Sequence, residues 1–249
     1  MIALILGSND KAGGLGDIID WCCTVNMFAE YEPDECIIYI DPNHIVIKSK
    51  KLDTLWKQLS SLFDRNIVLK IIDSNDYSDI LLDISQNKTN SNIINDRYFK
   101  TKGNKYQKLL YLLGDFPKIK VKDYSEYFPD LPEKFVTMQW DANLKRRRCS
   151  KNKVKNITEF YENIGYKTII VGGQAENDTL RNDLHKIAYI MSKASLHAGV
   201  DSGFMHLAKI VMPSNKIHIY TSNFMDPYIS HHLKNVLKAG AVLNYSRYK

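Results

Sequence analysis

The chain has 249 residues, 44% of them hydrophobic, and a formal net charge of +6, which is enough apolar material for one long domain or two small ones with real cores. No run approaches the roughly 18 apolar residues of a membrane span, and glycines and charges follow the first apolar segment at once, so neither a span nor a signal peptide is expected. Cys22, Cys23, Cys36 and Cys149 show no C-x-x-C spacing, which predicts reduced thiols in a cytoplasmic protein and no structural zinc.

The opening "IALIL" predicts a buried strand, and "KAGGLGDIID", Lys11 to Asp20, follows it. A turn needs one glycine. Gly13, Gly14 and Gly16 together permit positive φ and close approach to the backbone, and the helix beginning near Gly16 offers its N-terminus to an anion or a carboxylate. The stretch is neither a P-loop nor the G-x-G-x-x-G fingerprint. Lys11 and these glycines therefore read as an acceptor or phosphate loop. Asp17 reads either as a helix-capping acid or as a general base at a cleft mouth, and capping alone would explain it. On the helix that follows, Ile18, Cys22, Val25 and Ala29 fall on one face.

"ECIIYID" is a second strand, "LDTLWKQLSSLF" a helix, "NIVLKIID" a third strand, and "DILLDIS" either a fourth strand or part of a helix. Their apolar residues run consecutively, as in strands buried on both faces of a parallel sheet. "DFPKIKVKDYSEYFPDLPEK", with Pro117, Pro129 and Pro132, reads as a linker. Beyond it the pattern restarts: strand "KFVTMQW", a helix from Val154 to Ile164, strand "YKTIIVGG", and one long helix from about Glu176 to Ser195. The inner face of that helix is Leu180, Leu184, Ile187, Met191 and Ala194. Strand "LHAGV", a helix within "DSGFMHLAKIV", strand "KIHIYT" and a terminal helix around "ISHHLKNVLKAG" complete the chain. This alternation predicts an α/β protein of two Rossmann-like parallel-sheet domains facing a cleft, residues 1–130 and 131–225, with a helix in 226–249 packing back toward the first.

Ligands of such sheets collect at the carboxyl ends of the strands. In "VGGQAEND", Gly172 and Gly173 precede Glu176, a carboxylate able to accept two hydrogen bonds from a ribose diol, or simply an acid in a first helical turn. In "AGVDSGFMHLAK", Asp201 can cap a helix whose amides at Ser202, Gly203 and Phe204 would face phosphate oxygens. His206, one turn on, either reaches the same anion or is structural. The run "KRRRCSKNKVK", Lys145 to Lys155, holds seven basic residues and no acid. It admits a solvated loop, a diphosphate clamp or a nucleic-acid contact. Its place directly after a strand end favours the clamp, and no aromatics are interleaved with it as in a dedicated single-strand binder.

Taken in order, "LGD" after the first strand, a strand ending in "GG" with an acid three residues on, and "GVDSGFMHLA" resemble the ADP-heptose:lipopolysaccharide heptosyltransferases of glycosyltransferase family 9. The likeness spans most of the chain and is specific at "DSGFMHLA". "KAGGLGD" is also similar to the glycine loop of glycogen and starch synthases, whose later motifs are not evident. The resemblance implies the GT-B fold and an inverting, metal-independent transfer of a sugar from a nucleotide-diphosphate donor to a hydroxyl, with no cofactor. By position, Asp17 matches the catalytic base. Lys145, with Arg146 to Arg148, matches the group that neutralises the donor diphosphate, and Gly172, Gly173 and Glu176 match the ribose-binding turn. Asp201, Ser202, Gly203 and His206 match the diphosphate and sugar contacts. The chain is shorter than a typical member, mostly in the acceptor half, and the "KRRRC" run is denser, so the acceptor is the open question. The positive balance admits a polyanionic acceptor, either a glycan or hydroxylated bases in DNA. Two other classes stay open: a sugar-nucleotide epimerase of the same fold, and a non-catalytic nucleic-acid-binding protein.

Overall fold

The computed structural model describes residues 118–142, 147–221 and 240–245, together with residues 2–6, 15–16, 19, 23, 36–40, 57–59, 61–63, 67–71, 92–95 and 237. The chain divides into two compact units, Met1–Leu113 and Gly114–Lys249.

In the first unit, β1 (Ile2–Leu6), β2 (Cys36–Ile40), β3 (Ile67–Ile71) and β4 (Asn92–Asn95) form a parallel sheet in the order β3-β2-β1-β4. This is the order of a doubly wound fold around its first strand. Leu15, Gly16, Ile19 and Cys23 are helical. Ile19 (0% exposed) and Cys23 (3%) are buried one turn apart, so the inward face includes them. Leu59, Leu62 and Phe63 are buried in and just after the next helix. "DILLDIS" lies outside the described residues. The fourth strand is "NIIN", whose two isoleucines between asparagines make too brief an apolar run to stand out.

The second unit holds β5 (Phe135–Gln139), α1 (Lys151–Asn163), β6 (Lys167–Ile170), α2 (Asp178–Asn182), α3 (Leu184–Lys193), β7 (Leu196–Val200), α4 (Gly203–Val211), β8 (Ile217–Thr221) and β9 (Val242–Tyr245). The five strands are parallel in the order β6-β5-β7-β8-β9. Counted from β5 this is 2-1-3-4-5, a doubly wound order whose switch point lies between β5 and β7. One face of the sheet packs Val136, Met138, Trp140, Ala198 and Val200 against Ile157 and Tyr161 of α1. Trp140 is thus a core residue, 0% exposed. The neighbouring positions Thr137, Gln139 and His197 alternate to the opposite face and are buried there.

Local chemistry sets the helix ends. Ser150 caps α1 by accepting from the Lys153 amide, which starts that helix earlier than its apolar period suggests. The long helix expected over 176–195 is two helices. Asn177 caps α2, and Asp183, at φ −96° and ψ 99°, ends it and caps α3 by accepting from the amides of His185 and Lys186. The apolar stripe passes through the break unchanged, with Leu184, Ile187 and Met191 buried.

The proline-bearing stretch is fastened to the second unit. Ile119 donates its amide to the Ile210 carbonyl at 2.9 Å, and Lys118 Nζ donates to the Lys209 carbonyl at 2.8 Å. The rings of Tyr124 and Phe128 each lie 6.2 Å from that of Tyr189 on α3. The expected terminal helix lies largely outside the described residues. Gly240, at φ 105°, donates to the carbonyl of helical Leu237 just before β9. Among the described residues no helix is long and apolar enough to cross a membrane.

Candidate functional site

The carboxyl ends of β5, β6 and β7 meet at one edge of the second unit's sheet. β5 and β7 come close because Gly199 faces Gln139 in register: a Cβ there would stand 2.6 Å from the Gln139 carbonyl oxygen. Beyond these strands, Ser202 occupies the N-cap position of α4 but makes no side-chain cap. Its hydroxyl donates to Gln139 Oε1 at 2.6 Å, and Gln139 Nε2 donates to the Asp141 carbonyl. One glutamine side chain therefore ties the turn after β7 to the turn after β5.

The β6 turn closes against the same edge. Gly172 has φ 81°, and a Cβ on it would lie 2.8 Å from Cε2 of Phe204, so the phenyl ring at the start of α4 rests on bare backbone. Its amide donates to the Leu180 carbonyl at 2.8 Å. Arg181 donates from Nε and a terminal nitrogen to the Ala175 carbonyl at 3.0 and 2.6 Å, holding the loop shut. A Cβ on Gly173 would be 3.5 Å from Asp141 Oδ2, an ordinary contact that brings the β5 and β6 turns together. Glu176 is exposed beyond this turn.

Charges are distributed unevenly along the basic run. Arg147 reaches inward, with one guanidinium nitrogen 3.4 Å from Asp201 Oδ1 and 3.4 Å from the Asp201 carbonyl. Arg148 lies 3.0 Å from Asp141 Oδ1 and donates to the Ala142 carbonyl at 2.6 Å. Lys153 is buried and donates to the Thr221 carbonyl at 2.5 Å, and burial pushes its ammonium below the ordinary lysine range. Lys151 and Lys155 are exposed. The run is therefore not one solvated face. His206, 5% exposed, places Nε2 3.9 Å from Asp201 Oδ1.

Of the residues singled out from sequence, Arg148, Gly172, Gly173, Asp201, Ser202, Gly203 and His206 stand on these three turns or on the chain directly joined to them. Gly16 is helical and buried. Lys11, Gly13, Gly14, Asp17, Lys145 and Arg146 lie outside the described residues. Gln139, Asp141 and Phe204 complete the edge, and among the described residues of the basic run Arg147 pairs with Asp201. A polar residue closing an apolar strand, as Gln139 closes "FVTMQ", is the sequence signal that could have marked it.

Chemically, this edge suits an anion. It offers a helix N-terminus whose capping hydroxyl is engaged elsewhere, beside the Arg147 and Arg148 guanidinium groups, which are held in place by Asp201 and Asp141.

No protein-family model and no curated protein sequence matches the chain. Solved structures do match it. A glycosyl transferase family 9 protein from Veillonella parvula is 17% identical, over 100% of this chain and 87% of that one, with a TM-score of 0.58. The E. coli ADP-heptose lipopolysaccharide heptosyltransferase II is 11% identical over 98% and 89% of the two chains, with a TM-score of 0.53. The E. coli heptosyltransferase WaaC with ADP gives 11% over 98% and 93%, with a TM-score of 0.50. At these identities the likeness is one of fold, and the chain has the α/β fold of the GT-B heptosyltransferases, as its motifs led us to expect.

Proposed function

We propose that the protein is an inverting glycosyltransferase that moves a sugar from a nucleotide-diphosphate donor to a hydroxyl acceptor without a metal. The observation that carries this reading is the bond from Ser202 to Gln139 at the switch point of a 2-1-3-4-5 sheet, with Arg147 seated on Asp201 beside it. It joins the ends of β5 and β7 into one edge, within a fold shared with a family 9 glycosyl transferase and heptosyltransferases, and this supports the reading.

In this reading residues 131–225 take the donor and residues 1–130 the acceptor. Glu176 bonds the ribose. The amides opening α4, with Lys145, Arg146 and Arg148, stabilise the departing diphosphate by fixed positive charge and dipoles. Gly172 seats the Phe204 ring and exposed Gly173 keeps the nucleotide's approach clear, while Gly13, Gly14 and Gly16, with Lys11 as a cation, form the acceptor loop. Asp17 takes the acceptor's hydroxyl proton, the freed oxygen bonds the anomeric carbon from the opposite face, and the carbon–phosphate oxygen bond breaks. The sequence has no Asp-x-Asp pair of the kind that holds a metal in other sugar transferases, which supports the metal-free form. The +6 balance supports a polyanionic acceptor in the cytoplasm, a phosphorylated glycan or hydroxylated bases in DNA. The inward ties of Arg147 and Lys153 weigh against a protein that only binds nucleic acid.

A thermal-shift panel of nucleotide-diphosphate sugars tests the reading. A matched donor at 100 times its dissociation constant stabilises by about 2.7 kcal/mol. A panel flat for every base would overturn it, and product formed without acceptor would assign the protein to the epimerases.

A further inference from the structure

Lys209 is the anomaly of α4. The helix is buried at every position from Met205 to Val211, and Lys209 exposes 0% of its surface. An ammonium persists in such a place only when it is hydrogen-bonded or paired. Its Nζ lies 3.2 Å from Nδ1 of His206, three residues earlier on the same helix. From there the contacts run outward: His206 Nε2 is 3.9 Å from Asp201 Oδ1, which is 3.4 Å from the Arg147 guanidinium. Lys209, His206 and Asp201 are exposed by only 0%, 5% and 4%, so the arrangement is built into the protein interior and not formed on its surface.

The donor inventory of these groups has a consequence. A lysine ammonium carries three N–H donors and no acceptor, whereas a neutral imidazole has one nitrogen of each kind. Opposite the ammonium, Nδ1 must be the acceptor, and the ring's single proton must sit on Nε2, the nitrogen facing Asp201 and the start of α4. The hydrogen bond at one ring nitrogen selects the state of the other.

We infer that Lys209 is a positioning residue that locks His206 in its Nε2–H tautomer. The ring then presents a donor, and not a lone pair, at the edge of the site. A lone pair there would repel a phosphate oxygen, and an N–H bonds it. The link to phosphate rests on the glycosyltransferase reading above; the tautomer lock does not.

Long-range proton–nitrogen NMR of the imidazoles in the uniformly labelled full chain tests both parts. The chain has seven histidines, and the signal lost in His206→Asn identifies the ring. The wild type is expected to show Nδ1 unprotonated and Nε2 protonated. Lys209→Met keeps the length and apolar stem but removes the donor, and is expected to mix the tautomers or reverse them. Its affinity for ADP and for inorganic pyrophosphate, measured by calorimetry, should fall tenfold or more. A wild-type ring protonated at Nδ1 overturns the inference without any variant, as does a tautomer unmoved in a folded Lys209→Met. A tautomer that moves while affinity holds overturns the positioning role. A locked ring in a protein that binds neither ADP nor pyrophosphate sinks the glycosyltransferase reading and leaves the lock standing.

Discussion

The hydroxyl of Ser202 donates to Gln139 Oε1 at 2.6 Å, across 63 residues of sequence, although Ser202 stands where a serine would ordinarily cap its own helix. The two residues belong to the ends of adjacent strands, so their bond is both a fold contact and a brace for the site.

Removing one partner strands the other. Ser202→Ala and Gln139→Leu should each destabilise by about 1–3 kcal/mol, the cost of an unsatisfied buried group. The double variant should lose less than the sum, by about 0.5 kcal/mol or more. Urea denaturation of the four proteins measures this, and strict additivity would show that the bond carries no coupling.

Three glycines should rank by what a methyl group would meet. Gly199→Ala puts a Cβ 2.6 Å from the Gln139 carbonyl oxygen, which is backbone and cannot step aside. Gly172→Ala combines φ 81° with a ring atom at 2.8 Å, and Phe204→Leu should relieve the clash but not the backbone strain. Gly165→Ala has φ 87° with nothing within 4 Å, so strain alone remains, about 1 kcal/mol. Melting temperatures should fall most for Gly199→Ala and least for Gly165→Ala.

His197 predicts an acid limb of stability. Burial, with His218 nearby, pushes its pKa down to about 3, and Nδ1 lies 3.0 Å from the Thr137 hydroxyl. An unfolded histidine binds its proton near pH 6.5. Between those values the unfolded chain holds more protons than the folded one, so stability falls as pH drops from about 6.5 toward 3 and is complete above 6.5. The full window is worth on the order of 5 kcal/mol. Burial lowers the pKa of His218 as well, which adds in the same direction. His197→Asn should flatten this limb in denaturant titrations at stepped pH; an unchanged slope would mean that other groups set it.

Asp17→Asn should reduce turnover by about 10²–10⁴-fold with donor affinity and melting temperature nearly unchanged. Retention of more than about a tenth of wild-type turnover would remove Asp17 as the base.

Much of this fold was legible because the strands of a parallel sheet announce themselves as apolar runs; "IALIL" and "CIIYI" are unbroken, and "IVLKI" is interrupted only by Lys70. The four-residue strands "NIIN" and "VLNY" did not, each holding only two aliphatic residues beside asparagine. The break at Asp183 was invisible to periodicity because the apolar stripe continues through it, while the cap depends on one carboxylate competing for two amides. At the site, Gly172, Gly173, Asp201 and Gly203 stood out as glycines and acids closing strands. Gln139 did not, since its partner is fixed by β5 lying beside β7, a property of strand order and not of neighbouring residues, and Arg147 stood in the basic run without its pairing to Asp201 being legible. Lys209 looked like any helix lysine until a helix buried on every side left it no route to water.

The segment fastened to α3 and α4 bears on how the carboxy-terminal half can be produced alone. A fragment beginning at Gly114 retains the amide of Ile119 for Ile210 and the rings that cover Tyr189. One begun after Pro132, where the prolines invite a cut, would bare that aromatic surface and orphan the carbonyl at the end of α4. The longer fragment is the one expected to stay monodisperse in gel filtration, and the shorter one to self-associate through the uncovered tyrosine.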